Sequence, residues 1–148
     1  MAPRGAILTD HHTDRTELSA APAAALPESA ANDSELISWV RVATAAADDK
    51  LGQRTDAFFV GEILGITDWF VVTSGRNNRQ VRAIVEGIEE ALANAGGPKP
   101  KRIEGRDTLS WVLMDYDFLV IHVFTEEARE HYDLERLWRD VPRLDLIA

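Results

Sequence analysis

The sequence predicts an α/β domain in which a mixed sheet is flanked by helices. Three observations carry that expectation. Trp69-Phe-Val-Val-Thr73 is an unbroken apolar run, the pattern of a central strand covered on both faces. Val81, Ile84, Val85, Ile88 and Leu92 recur at mostly three- and four-residue intervals, the pattern of a helix with one apolar side. Leu109 to Asp115 and Phe118 to Phe124 are two more apolar stretches, joined by a tight turn at Asp115-Tyr116-Asp117. Strands and helices that each hide an apolar side must be stacked in layers.

The remaining elements follow in order. Ser34 is placed to cap a first helix over about 35–49, with Glu35 in its first turn and Leu36, Ile37, Val40, Ala43, Thr44 and Ala47 at helical spacing. Gly52 breaks it. Ala57-Phe-Phe-Val60 with Ile63-Leu64 reads as a strand, and Gly65 to Asp68 as a turn. Ser74-Gly75 ends the central strand. The main helix spans about 77–95 and stops at Gly96-Gly97. Lys99 to Arg102 is a basic, proline-interrupted connector, and Ile103-Glu104 a short strand. After the two paired strands, Thr125 caps a last helix, or pair of helices, with Glu126 and Glu127 in its first turn. It reaches about Trp138, and Pro142 closes the ordered part. The domain is thus expected over 35–141, with tails at 1–34 and 142–148.

The N-terminal tail is rich in Ala, Pro and Ser from Ala20 to Ala31 and lacks spaced large apolar side chains, so it cannot offset its ordering entropy. It fits neither a secretory signal nor an acid-poor transit peptide, since Arg4 and Arg15 face Asp10, Asp14, Glu17, Glu28 and Asp33. The whole chain of 148 residues has a net charge of −9. Residues 35–148 hold 14 basic and 20 acidic side chains, a net charge of −6. That balance argues against nucleic acid as the main partner, because phosphate binding runs on clustered Lys and Arg. Cysteine is absent, which excludes disulfides, thiolate nucleophiles and Cys-ligated metals. No apolar run approaches the roughly 20 residues of a membrane-spanning helix.

Several residues invite a chemical reading, each with an ordinary one beside it. Ser74 lies at a strand-to-helix turn, but Thr73-Ser74-Gly75-Arg76 lacks the leading glycine of a nucleophile elbow and reads better as a turn and cap. Asp115 and Asp117 have the spacing of paired metal-binding carboxylates in a nucleotidyltransferase, yet Asp is also favoured in a hairpin turn. His11-His12 reads as a solvated pair. His122, inside Val120-Ile-His-Val-Phe124, reads as a hydrogen-bonded core histidine. Arg76, Arg79 and Arg82 oppose the helix dipole and could hold an anion, but a solvated face partly paired with Glu86 is favoured. Trp111 alternates with Leu113 and Asp115 on one side of a strand. It is either a core residue or an exposed anchor for a partner, since Trp and Tyr are frequent interface hot spots.

Three blocks resemble the ribosomal silencing factor family, also called iojap-like proteins. They are Thr67-Asp-Trp-Phe-Val-Val-Thr-Ser-Gly75 with Arg79-Gln80-Val81; Glu104-Gly105 with Trp111-Val-Leu-Met-Asp-Tyr116 and Val120-Ile-His-Val-Phe124; and Glu127-Ala-Arg-Glu-His-Tyr-Asp-Leu-Glu-Arg-Leu-Trp138. The likeness covers about 36–139. It implies a nucleotidyltransferase-like α/β fold without a catalytic site, cofactor or metal. It also implies a translation repressor that binds the large ribosomal subunit through that subunit's ribosomal protein fourteen and blocks joining of the small subunit. Homodimers and a cytoplasmic location are implied as well. The partner-facing motif of the family is W-x-x-x-D-Y-G-D, which Trp111, Asp115 and Tyr116 match; Asp117 and Phe118 stand where Gly and Asp are usual. The partner-binding set is therefore Trp111, Leu113, Asp115, Tyr116 and Phe118. A metal-dependent nucleotidyltransferase using Asp115 and Asp117, and a purely structural homodimer, are the competing readings.

Overall fold

A computed structural model describes residues 33–65 and 67–146, the side chain of Ile63 excepted. The expectations for 1–32, including His11-His12, lie outside the described residues. Helix α1 (Ser34–Asp49) starts one residue earlier than its spacing indicates. Its cap is Asp33 rather than Ser34: the Asp33 carboxylate accepts the Leu36 N–H at 3.2 Å, satisfying an orphan amide at the positive end of the helix. Strand β1 (Gln53–Phe59) ends before Val60. The expected strand at Ile63-Leu64 is instead the one-turn helix α2 (Gly61–Leu64), closed by Gly65 at φ 72°, a left-handed conformation that glycine takes without strain.

Strand β2 (Trp69–Gly75) is buried at every residue, as the apolar run requires. Helix α3 (Asn78–Asn94) is capped by the Asn77 side chain, which accepts the Gln80 N–H at 2.9 Å, and it buries Val81, Ile84, Val85, Ile88 and Leu92. Strands β3 (Arg102–Glu104), β4 (Trp111–Asp115) and β5 (Leu119–Thr125) follow. Thr125 caps helix α4 (Glu126–Tyr132) by accepting the Ala128 N–H at 3.2 Å. Asp133, in the left-handed region, separates α4 from a 3-10 turn at Leu134–Trp138.

The sheet is mixed, with order β1-β2-β5-β4-β3. β2 runs parallel to β5; the other pairs are antiparallel. Side chains alternate between two faces. On the first face, Ala57, Phe59, Trp69, Val71, Val112, Met114, Ile121 and Val123 meet α1 and α3. On the second, Phe58, Phe70, Val72, Trp111, Leu113 and Phe124 meet Leu134, Trp138 and Val141, with Ala128 of α4 packed against them.

The expected C-terminal tail from Pro142 is corrected by the structure. Phe59 N–H donates to the Pro142 carbonyl at 2.8 Å, and Leu144 N–H to the Ala57 carbonyl at 3.0 Å. Arg143 bridges Phe58, and its guanidinium lies 5.1 Å from the Phe58 ring centre. These residues cover the outer edge of β1, whose backbone groups need partners. Among the described residues, no helix is long and apolar enough to cross a membrane.

Candidate functional site

The β4–β5 hairpin and the layer over the second face hold the residues singled out from the sequence. The tip of the hairpin is a tight turn. Tyr116 N–H donates to Leu119 O at 2.8 Å and Phe118 N–H to Tyr116 O at 3.0 Å. Asp117 has φ 80°, a region that favours glycine, and the Asp115 carboxylate accepts the Asp117 N–H at 2.8 Å. The residue that replaces the family's Gly therefore keeps a backbone a Gly would take, steadied by its neighbour's side chain. Phe118, in place of the family's Asp, is half-buried against the first core, and its carbonyl accepts the N–H groups of Asp68 and Trp69, both at 3.0 Å. Gly105 has its own reason: at φ 93°, a Cβ would run into the Trp111 carbonyl oxygen.

The paired-carboxylate geometry does not form. β4 ends at Asp115, so Asp117 sits in the turn rather than two residues along the same strand face. Asp115 is also within 3.4 Å of the Arg102 guanidinium, and Asp117 within 3.5 Å of the Lys101 ammonium. Among the described residues, no group of three or more His, Asp or Glu is placed to hold a metal ion.

Trp111 is not an exposed anchor. It is 4 % exposed and belongs to the second core, because α4 lies over the end of β4 where the sequence left that face open. Its ring centre lies 4.8 Å from Phe124 and 4.6 Å from Tyr132. Its Nε1–H donates to His122 Nδ1 at 3.1 Å. Leu113 and Tyr116 are buried too, Leu113 in the second core and Tyr116 in the first. Of the five residues proposed from the sequence, Asp115 and Phe118 alone are partly exposed, the Asp115 side chain to 16 %.

His122 is fully buried, and burial depresses its pKa to about 3, so the ring is neutral. With Nδ1 accepting from Trp111, the proton sits on Nε2, which has no hydrogen-bond partner. Tyr116 has its pKa raised to about 12, first by burial and then by the Glu89 carboxylate, partly offset by Arg106. Ser74 is a buried strand residue rather than a cap. It donates to Gln53 O at 3.2 Å and accepts from Arg129 at 3.1 Å. Arg76, Arg79 and Arg82 are exposed, and among the described residues no ion pair joins them to Glu86.

The sequence reading assigned no role to Arg129, which is 1 % exposed. Its Nε and Nη2 donate to one Glu135 carboxylate oxygen at 2.9 and 2.7 Å, Nη1 to Gln53 O at 2.9 Å, and Nη2 to Arg54 O at 2.7 Å. Arg54 is at φ 51°, where the β1 register shifts. One guanidinium thus locks α4, the 3-10 turn and the irregular start of β1 together. Nothing in local periodicity announces it, since an Arg in a helix next to acids reads as a surface residue.

The profile of a family described as "Ribosomal silencing factor during starvation" matches residues 33–148. The Ribosomal silencing factor RsfS of Bacillus subtilis is 38% identical over 109 residues, which are 74% of this chain and 92% of that one. A mouse protein named "Mitochondrial assembly of ribosomal large subunit protein 1" is 39% identical over 75 residues, 49% of this chain and 32% of that one. A crystal structure of a Bacillus halodurans protein superposes with TM-score 0.64 at 32% identity, covering 74% of this chain and 98% of that one.

Proposed function

The chain belongs to the ribosomal silencing factor family, and from that premise we propose that it represses translation by sitting on the large ribosomal subunit, at ribosomal protein fourteen, where the small subunit must join. The observation that carries this reading is the family match over the whole described domain. The mouse relative's name, which ties it to the large subunit, supports the choice of target. Physics is compatible. Ribosomal proteins are generally basic because they hold RNA, and an acidic domain is steered towards them. Blocking by occupancy asks for no reacting group; it asks for an interface of about 800 Å² per partner in the right place.

In this proposal Asp115 and Phe118 touch the partner from the hairpin end, while Trp111, Leu113 and Tyr116 act from inside by fixing the shape of that surface. The protein works as a homodimer in the cytoplasm and catalyses nothing. The test is a sucrose-gradient analysis of purified subunits with and without the protein. Added protein should keep small and large subunits apart and co-sediment with the large one. Unchanged joining, or metal-dependent nucleotide transfer abolished by Asp115→Asn with Asp117→Asn, would overturn the proposal.

A further inference from the structure

We propose that the cleft between α3 and the turn leading into β4 binds a small aliphatic α-amino acid, its carboxylate on Arg82 and Arg106 and its ammonium on Glu86. This does not depend on the ribosome-binding reading above. The cleft is a cavity of about 130 Å³, partly open to solvent. Arg82, Val85 and Glu86 line it from α3, and Arg106 and Leu109 from the turn. An apolar cavity of about 150 Å³ holds one benzene molecule, so there is room for roughly six to eight heavy atoms.

The walls are set before a ligand arrives. Val85 and Leu109 are buried and give the cleft an apolar floor. The Leu109 N–H donates to the Gly105 carbonyl at 2.9 Å and closes the turn. Gly105 and Leu109 both have positive φ, 93° and 60°. A leucine holds that conformation only where its surroundings impose it.

The charge above this floor is mixed and incompletely used. Arg106 Nη2 donates to a Glu89 carboxylate oxygen at 2.9 Å. Arg82 and Glu86 stand four positions apart on α3, where opposite charges commonly pair. Both are exposed, and neither makes an ion pair among the described residues. The buried Tyr116 hydroxyl has no hydrogen-bond partner. Burial raises its pKa most, Glu89 raises it further and Arg106 lowers it, so both charges lie near that hydroxyl. This corner therefore holds more polar capacity than the protein itself satisfies.

That pattern selects the ligand class. A simple anion gains from the two guanidiniums but meets the Glu86 carboxylate, and it shares Arg106 with Glu89. A cation meets two guanidiniums. A zwitterion answers both signs: guanidinium N–H groups donate to its carboxylate, and Glu86 accepts from its ammonium. An α-amino acid carries both charges on adjacent atoms of one carbon, and a short aliphatic side chain covers Val85 and Leu109.

The test is a two-dimensional NMR titration of the full chain with four probes. They are L-valine; N-acetyl-L-valine, which lacks the ammonium; isobutylamine, which lacks the carboxylate; and inorganic phosphate. L-Valine should saturate with a Kd of about 1 mM or tighter and shift amides at 82–89 and 105–109. The other three probes should bind about tenfold more weakly or worse, the loss of a charge-assisted contact. Arg82→Gln and Glu86→Gln should each weaken L-valine binding about tenfold with the unfolding midpoint unchanged. Glu90→Gln, on the same helix but outside the cleft, should bind as the parent does. No saturation about tenfold above that concentration, or shifts confined to other parts of the chain, would overturn the proposal. So would phosphate or N-acetyl-L-valine binding as tightly as L-valine, since the cleft would then take any anion.

Discussion

The two faces of the sheet are built differently. The first is covered by two long helices, and its contacts are largely aliphatic: Val81, Ile84, Val85, Ile88 and Leu92 of α3 on Val71, Val112, Met114, Ile121 and Val123. A polar pair there, Thr55 and Thr73, shares a 2.8 Å hydrogen bond. The second face is aromatic and covered by a seven-residue helix and a five-residue 3-10 turn. It buries Arg129 and His122, and it leaves Trp138 Nε1 and His122 Nε2 without partners. Unsatisfied buried donors each cost about 1–3 kcal/mol. The first core carries such a cost too, at the Tyr116 hydroxyl. The difference is one of construction: long aliphatic helices cover the first face, and a short aromatic layer pinned by Arg129 covers the second.

The largest effect expected is at Trp111. Trp111→Ala should lower folding stability by about 3–5 kcal/mol, and should weaken subunit binding even in the fraction that stays folded, because the hairpin surface loses its inner support. Ile88→Ala, a truncation on the first face, should cost about 2–5 kcal/mol with affinity per folded molecule unchanged. Denaturant unfolding and binding measured on both variants check the contrast; a matched loss of affinity would erase it.

Arg129→Met should cost about 3 kcal/mol or more, since it strands Glu135 and the carbonyls of Gln53 and Arg54. Amide exchange should accelerate in β1 and the 3-10 turn before it does in α1 and α3. Equal acceleration on both faces would mean the second layer is no separate unit.

The pH dependence is smaller and lies on the second face. His122 is neutral when folded, with a pKa near 3, and titrates near 6.5 when unfolded. The unfolded chain therefore binds the extra proton between those values. Stability is full above pH 6.5 and falls as pH drops through the window, by up to about 1.4 kcal/mol per unit. Melting at pH 7 and pH 5 should show that loss in the parent. His122→Gln should be weaker at pH 7 but lose less on acidification.

The smallest effect is at the hairpin tip. Asp117→Gly relieves a positive φ and should stabilise by about 0.5–1 kcal/mol, against the little that the exposed Lys101 contact gives. A fall in the unfolding midpoint would show that the Asp117 side chain does more than occupy the turn.

What could be read from the sequence follows the same division. β2 and α3 were legible because an all-apolar run and a 3.6-residue period arise from complete burial and from one buried side. The β4–β5 hairpin was legible from its turn residues. Trp111 was not, because alternation along β4 is the same whether the face is solvent or core; α4, folded back from later in the chain, decides it. Ile63-Leu64 misled because a short apolar doublet has no period. The strand-like pairing of Pro142 and Leu144 with β1, and the reach of Arg129 to Gln53, are long-range contacts that leave no local pattern. The hairpin-tip acids were visible, but the positive φ that gives Asp117 its role was not.

The most direct test of the account is hydrogen exchange of the full chain, free and bound to isolated large subunits. The account predicts slowed exchange in the β4–β5 hairpin, with the outer sides of α1 and α3 unchanged. Protection confined to α1 and α3, with the hairpin unaffected, would contradict it.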